Sequence, residues 1–576
     1  MLVKSPFPPL PPLPEVNVLN IMFGRPDQAE WPDYTIQIEE RTGRKRTYKE
    51  LIGRMELGAT ALAAKVSDGG LALNGDTDEM VGLLGYNSLE YIDIVLSLLR
   101  VTTPFALISS HSTRFELVHA LKLTKATRLF VDAKLLKNVL SAIEDPDVHL
   151  TADKIYILHG QPTGGRLSFN GMIEKVKRRK LPIQPIRPAK KDTLAYLVMS
   201  SGTSGLPKAV MISHGNIICS ILQGIFVGQH LEPYSSIKAQ MKDRHPITVG
   251  VLPMFHSYGL HVYILRATLA PATYVILEKW SPTQYLKAIP KYKVTHLTLV
   301  PSLVHTLVNH PDIKSTDLSS VLSVNSGAAY LPPELASRMG ALLKKTSEVV
   351  QGYGLSEATI SALTRPLDKM LGTGVPPSDT TGILIPGLDG RIVRDDGTDA
   401  EPGEVGELWL QGCNVALGYW NNPEANAKTF VDGWLRTGDQ FRADEKGYFF
   451  FADRGKDTLK VSGAQVSPKE IEDVLFAHPE KLISDVSVAG VSGGRTDDEK
   501  VPRAWIVLSR AGKKKGAAAT IKALGEWHQQ SLSKYKWLRG GIEVVKDIPK
   551  TPTGKTMRRV LQDRYEQRMK KARAKL

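Results

Sequence analysis

The stretch 193–208 constrains this chain more than any other. Its first half, Thr193-Leu194-Ala195-Tyr196-Leu197-Val198-Met199, is an apolar run of strand length. It stops at Ser200-Ser201-Gly202-Thr203-Ser204-Gly205, and Pro207 and Lys208 follow. Small residues let backbone N–H groups close around an anion, hydroxyls add donors, and a lysine adds charge. The spacing is not the Walker form G-x-x-x-x-G-K-[ST]. By composition alone the cluster is equally a flexible surface loop. Other segments must supply the rest of a nucleotide site for the anion reading to stand.

A chain of 576 residues has room for two or more domains, and 42% hydrophobic with 23% charged residues is ordinary for a globular protein. The net charge of +15 comes without any RNA-recognition, zinc-finger or basic-zipper pattern, so a mildly basic surface is expected and no nucleic-acid partner. No apolar run approaches the roughly 18 residues of a membrane span. Two cysteines far apart, Cys219 and Cys413, give no disulfide framework and no cysteine metal site, which points to a reducing compartment. Pro6, Pro8, Pro9, Pro11, Pro12 and Pro14 make an extended arm rather than a secretory signal. The ending Ala574-Lys575-Leu576 is close to the S-K-L peroxisomal address. A peroxisomal import receptor is its expected reader, with the cytoplasm as the alternative compartment.

Residues 15–190 alternate strand-like and helical segments, the pattern of a mostly parallel sheet. A helix is expected over 47–66, with Thr47 capping and Glu50 closing the box, and an amphipathic one over 89–101. Short strands are expected at 80–84, 128–131 and 154–158. Beyond the Ser/Gly cluster, Ser213-His214-Gly215-Asn216 begins a helix. The strand 248–252 leads into Pro253-Met254-Phe255-His256-Ser257-Tyr258-Gly259, and ligands sit beyond the carboxyl ends of such strands. The strands 274–277, 296–300 and 321–324 follow, the last running into Asn325-Ser326-Gly327-Ala328, small enough for a flat ring to approach. In Gln351-Gly352-Tyr353-Gly354-Leu355-Ser356-Glu357, Tyr353 offers a stacking face, Ser356 a donor and Glu357 oxygens for a hard cation. From Gly382 the texture turns all-β and leads to a turn carrying Asp439, whose carboxylate suits the two hydroxyls of a ribose. A last boundary falls near 454–456. After it comes a compact α+β region with a capped helix at 467–475, strands at 485–491, 503–508 and 542–545, the loop Pro549–Lys555 and a basic helix at 557–573.

Five motifs in order, S-S-G-T-S-G-L-P-K, P-M-F-H-S-Y-G-L, Q-G-Y-G-L-S-E-A, W-L-R-T-G-D with D-R-G-K-D-T-L-K-V-S-G-A-Q-V, and P-K-T-P-T-G-K, resemble the adenylate-forming enzymes across nearly the whole chain. The 4-coumarate–CoA ligase-like branch fits best, through L-P-M-F-H, S-G-A-A and V-S-G-A-Q-V-S-P-K-E-I-E. The resemblance implies an α/β fold: a large N-terminal domain, 1–454, of α/β subdomains plus a small β-barrel, then a small mobile α+β domain, 455–576, hinged at Lys456. It implies ATP, Mg²⁺ and CoA as cofactors and co-substrates, and a small carboxylic acid as the group activated. Ser200, Ser201, Gly202, Thr203, Ser204 and Lys208 would wrap the ATP phosphates. Gln351, Gly352 and Tyr353 would border the adenine, Ser356 would meet the phosphate, and Glu357 would hold the metal. Asp439 and Arg454 would take the ribose. Lys555, Lys460, Gln465 and His256 would approach the reacting groups. Tyr258, Asn325, Ala328, Gly354 and Ile360 would wall the acid pocket, and Lys279, Ser462 and Gly463 would contact CoA.

The chain departs from the branch in places. Ala209 replaces a Gly, Ser462 stands where many relatives carry Lys, Asn325 replaces the Lys that meets a phenolic hydroxyl, and Tyr330 replaces a Pro. Ile360 and Ser361 stand where the branch has Pro and Val. These changes turn the expectation away from 4-coumarate itself and toward another aryl or medium-chain acid. A non-CoA acceptor (a carrier protein, an amine, or oxygen as in luciferases) is the alternative second step.

Overall fold

The computed structural model describes residues 1–76, 78–200, 207–241, 244–328, 331, 333–344, 348–372, 374–454, 459–461, 464–466, 468–492, 500–532, 536–552, 554 and 556–573. The fold is mixed α/β, a large N-terminal body followed by a small C-terminal domain.

Two sheets form the centre of the body. The seven-stranded one runs Gly418–Tyr419, Lys208–Ser213, Leu194–Ser200, Phe105–Ile108, Val81–Leu84, Arg128–Val131, Ile155–Ile157. It is parallel from Leu194–Ser200 to Ile155–Ile157 and antiparallel where Lys208–Ser213 pairs with Leu194–Ser200. The nine-stranded sheet has a parallel middle, Glu348–Tyr353, Ser323–Ser326, His296–Leu299, Ile247–Gly250, Thr273–Ile276 and Thr35–Glu39. It turns antiparallel at both margins, where Glu348–Tyr353 meets Leu363–Thr364 and where Thr35–Glu39 meets Lys45–Thr47.

Local chemistry explains the elements that sequence located well. Thr47 accepts from the Glu50 N–H at 3.2 Å and Glu50 accepts from the Thr47 N–H at 2.7 Å, so the helix Tyr48–Ala63 starts where its capping box predicts. Ser213 and Asn216 make the same reciprocal pair at the head of His214–Leu231. The helix Leu89–Arg100 differs from expectation. All of its residues are buried, so it is not amphipathic in use. Its acids are covered by ion pairs instead, Glu90 with Arg44 and His159, and Asp93 with Arg46 and Arg54. Sandwiched in the largest apolar cluster, it has no solvent face to offer.

The all-β region is a six-stranded antiparallel sheet containing Leu388–Val393, Gly406–Gly412, Trp434–Ala443 and Phe449–Arg454. Its described strands follow an open path rather than the closed ring of the expected barrel. The N-terminal strand Leu2–Lys4 closes one side by pairing with Asp389–Arg391, a contact that the proline-rich arm concealed.

The cysteines require a correction. Cys219, on the helix His214–Leu231, and Cys413 form a disulfide across a sequence separation of 194, with their Cα atoms 5.9 Å apart. Spacing could not reveal this, because it takes both sheets to bring residue 413 back beside that helix. With the pair joined, cysteine usage no longer argues for a reducing compartment.

The small domain carries the strands Ile483–Ser492, Lys500–Leu508 and Ile542–Val544, with the helices Pro468–Phe476, Ala517–Ser531 and Arg558–Arg573. It touches the body through Lys481 and Glu334, 3.0 Å apart. Among the described residues no helix is long and apolar enough to cross a membrane. Lys456, at the expected hinge, and Ala574-Lys575-Leu576 lie outside the described residues.

Candidate active site

The strand Leu194–Ser200 is buried on both faces, and Ser200 is its last residue. Ser200 pairs in register with Lys208, the first residue of the next strand, so these two flank the loop; Ser201, Gly202, Thr203 and Ser204 lie outside the described residues. The Lys208 ammonium sits 4.8 Å from the centre of the Tyr419 ring, a cation–π contact that holds it beside the loop.

Glu357 is the point where the two sheets meet. Its Oε1 accepts from the Ser200 hydroxyl at 2.8 Å and from the Tyr419 hydroxyl at 2.9 Å. The residue is buried, yet no described partner occupies Oε2. Burial and the neighbouring carboxylate raise the Tyr419 phenol's pKa, so it remains a donor. Among the described residues no group of three metal ligands exists. A single carboxylate oxygen would suit a Mg²⁺ that arrives already bound to a nucleotide, and Glu357 is the residue that could hold it.

The segment around Glu357 is held in an uncommon shape. Thr359 and Ile360 have φ of 46° and 88°, left-handed values that β-branched residues resist. Asn414 enforces them: its Nδ2 donates to the Ala358 and Ser361 carbonyls at 2.8 and 2.9 Å, and its own carbonyl accepts from the Thr359 hydroxyl at 2.6 Å. Gly354 is required here, since a Cβ would stand 1.6 Å from the Ile360 carbonyl oxygen.

Tyr353 donates its hydroxyl to Asp439 Oδ2 at 2.8 Å and sets its ring against Phe441, with 4.9 Å between centroids. Asp439 therefore differs from expectation. It lies within the strand Trp434–Ala443 and is buried, not exposed in a turn. The left-handed Gly438 and the bulge after Gln440 aim it inward, opposite Arg454 in the ladder. Gln351 and Gly352 lie on the strand Glu348–Tyr353, Gln351 opposite Ser326. Ser356 lies 3.0 Å from the Ser257 hydroxyl.

Across the cleft, Tyr258 lies against Gly327, where an added Cβ would come 3.2 Å from its ring. Burial raises its phenol's pKa. His256 immediately precedes the short helix Ser257–Leu260 and stacks obliquely on Phe255 at 4.7 Å. Asn325 sits half-buried on the strand Ser323–Ser326, and Ala328 turns the chain with φ of 66°. Tyr258, Asn325, Gly354, Ile360 and Ala328 thus fall together at the carboxyl ends of the nine-stranded sheet. Lys279 is exposed beyond Thr273–Ile276.

On the small domain, Lys460 and Gln465 face each other in the hairpin Leu459–Val461 and Ala464–Val466. Ser462, Gly463 and Lys555 lie outside the described residues. Gly554 is packed on the body: a Cβ there would come 2.5 Å from Ser302 Oγ, at the head of the helix that follows His296–Leu299. Tyr419 and Asn414 were not found from sequence. Neither sits in a motif, and each acts on residues more than fifty positions away.

A strand-end hydroxyl at Ser200, a buried carboxylate with no described partner on one oxygen and an inward aspartate, set between two mixed sheets, fit an ATP-using, adenylate-forming ligase. The chain belongs to the AMP-binding enzyme family, whose pattern matches residues 25–420, and the family's C-terminal domain matches residues 470–555. It is 33% identical over 512 residues to a Dictyostelium discoideum protein named probable 4-coumarate–CoA ligase 1, covering 87% of this chain and 88% of that one. It is also 33% identical over 427 residues to a long-chain-fatty-acid–CoA ligase of Bacillus subtilis (strain 168), covering 74% and 70%. Its fold matches the crystal structure of the anthranilate CoA ligase AuaEII in complex with anthranoyl-AMP, at a TM-score of 0.81 and 24% identity over 97% of this chain and 99% of that one.

Proposed function

We propose that this protein is an acid–thiol ligase working in two steps. In the first, a carboxylate oxygen attacks the α-phosphorus of ATP, forming the acyl-adenylate and releasing pyrophosphate. In the second, the CoA thiol attacks the acyl carbonyl and AMP leaves. The observation that carries this reading is Glu357, fixed on one oxygen by Ser200 and Tyr419 and with no partner among the described residues on the other. The relatives named as CoA ligases support the choice of thiol.

The protein's work in the first step is to bring two anions together and neutralise the charge that develops. Ser200–Ser204 and Lys208 take the phosphates, Gln351–Tyr353 the adenine, and Asp439 with Arg454 the ribose. Glu357 would hold Mg²⁺, which supplies further charge neutralisation to the phosphates. Lys555 meets the reacting carboxylate, with Lys460, Gln465 and His256 close to the adenylate. Gly554, the residue before Lys555 in sequence, packs on Ser302, which supports this placement. For the second step the small domain turns at Lys456 and brings Ser462 and Gly463 toward Lys279, a hinge closure. An aryl or medium-chain acid fits walls made by Tyr258, Asn325, Ala328, Gly354 and Ile360.

The test measures the two steps separately. Lys555→Ala should abolish pyrophosphate release while thioester formation from preformed acyl-AMP stays within a few fold. Equal loss of both steps would overturn the rotating-domain account. No thioester from CoA, despite pyrophosphate release, would transfer the second step to another acceptor.

A further inference from the structure

Arg266 follows Leu260, Ile264 and Leu265 of the large apolar cluster and lies beside Ser220 and Gly224 of the helix His214–Leu231. Other covered arginines have carboxylate partners: Arg46 and Arg54 share Asp93, Arg100 meets Glu56, and Arg128 meets Glu79. Arg266 has none among the described residues. Its Nε and Nη2 donate to the Ser220 hydroxyl at 3.2 and 2.7 Å, and its Nη1 to the Ser361 hydroxyl at a long 3.4 Å. A guanidinium carries five N–H donors, so one hydrogen on each terminal nitrogen is left over. Two such hydrogens match the fork that accepts a carboxylate.

The neighbours offer no compensating charge. His261, which touches Tyr196 at 2.9 Å and Ser220 at 3.4 Å, is pushed far toward its neutral form by burial. The Tyr196 phenol is kept neutral by burial as well. Burial lowers the Arg266 pKa to about 10, still charged at neutral pH. A buried charge is stable only when something of opposite sign completes it. Arg266 is nevertheless partly exposed, so its remaining donors are reachable.

The contact with Ser361 ties Arg266 to the walls assigned above to the acid. Arg266 ends the helical run that begins with Ser257 and Tyr258, and Ser361 directly follows Ile360. The run passes through a π-turn, His261–Leu265, closed by the Arg266 N–H donating to the His261 carbonyl at 2.7 Å. Such turns re-aim side chains and recur at functional sites. Nine residues of helix place Arg266 roughly 13 Å from Ser257, away from the phosphate end.

We propose that Arg266 is a specificity-determining residue, and that the acid activated here carries a second carboxylate at its far end, which docks on the Arg266 guanidinium. This rests on the adenylating reading and narrows its substrate class to acids with two distant carboxylates. The docked group stays chemically unchanged while the other carboxylate reacts.

The experiment uses the full chain with ATP and Mg²⁺, reading pyrophosphate release across pairs matched in length. Each pair sets an α,ω-dicarboxylic acid against the monocarboxylic acid, with one aryl pair, 4-carboxycinnamate against cinnamate. At the best length the dicarboxylic acid should win by about 100-fold or more in kcat/KM, because a site built for a polar group rejects the analogue that lacks it. Arg266→Met should remove that preference, mainly through KM, and leave the monocarboxylic acid within threefold. Arg266→Lys should restore part of it. Preference for the monocarboxylic acid at every length overturns the proposal, as does an equal loss on both acids in Arg266→Met. Should Arg266→Met not fold, the wild-type preference and its shift in Arg266→Lys decide. If monocarboxylic acids turn over and dicarboxylic acids do not, this inference alone fails. If no acid in the panel releases pyrophosphate, the adenylating reading fails and takes this inference with it.

Discussion

Each of the two central sheets runs parallel through the middle, and each has an antiparallel turning point that carries site residues. They are held in opposite ways. The hairpin Leu194–Ser200 with Lys208–Ser213 supports itself: its strands pair from Leu194↔Ser213 to Ser200↔Lys208. The second turning point has only two paired positions, Gly352↔Thr364 and Tyr353↔Leu363. What fixes it comes from outside, through Asn414 and through the Ala416 N–H donating to the Glu357 carbonyl at 2.8 Å. A loop clamped from another sheet presents its carboxylate already aimed, which is how charge stabilisation avoids reorganisation during the reaction. The disulfide joins the two supports, since Cys219 is on the helix leading from the first hairpin and Cys413 is the residue before Asn414.

The largest effect expected is on that bridge. Closing a loop of 194 residues stabilises a fold by about 5 kcal/mol in the chain-entropy account. Cys219→Ser should therefore lower the melting temperature by several degrees in the absence of reductant, and added dithiothreitol should lower only the wild type. Equal response of both proteins to reductant would break the link between the two supports.

Glu357→Gln tests the clamped loop directly. Pyrophosphate release should fall at least ~100-fold, as for loss of a preorganised electrostatic group, with the circular dichroism spectrum unchanged. Asn414→Ala removes both side-chain bonds to Ala358 and Ser361 and should cost about 2 kcal/mol. Amide exchange should then quicken at 358–361 and not in the strand Leu194–Ser200. Equal quickening in both would show that the hairpin also depends on the clamp. The smallest effect is expected from Ser200→Ala. Tyr419 still holds Glu357, so the rate should drop by only about tenfold, one hydrogen bond's worth.

The same contrast governs what sequence could reveal. Thr47 with Glu50 and Ser213 with Asn216 interact over three residues, so the helix starts were legible. Ser200, Lys208 and Glu357 were legible because their motifs are local runs of unusual composition. The strand expected at 321–324 lies at Ser323–Ser326, because an apolar pattern cannot distinguish the lead-in Val321-Leu322 from the strand itself. The strands Thr35–Glu39 and Phe105–Ile108 went unseen, being short and flanked by no strong turn signal on one side. Asn414, Tyr419, the cysteine pair and the lack of a counter-ion at Arg266 are properties of distant segments brought together, and no spacing rule encodes them.

The pairing of Leu2–Lys4 with Asp389–Arg391 also sets an order in time. During synthesis the first strand emerges long before its partner, the two being separated by nearly four hundred residues. At ribosomal rates of about 5–20 residues per second, it waits roughly 20–80 s with its ladder groups unmet. The prolines at positions 6, 8, 9, 11, 12 and 14 stiffen the segment behind it and deny a stray strand a continuous edge to extend. The third sheet is therefore completed late, when an early strand meets one made much later.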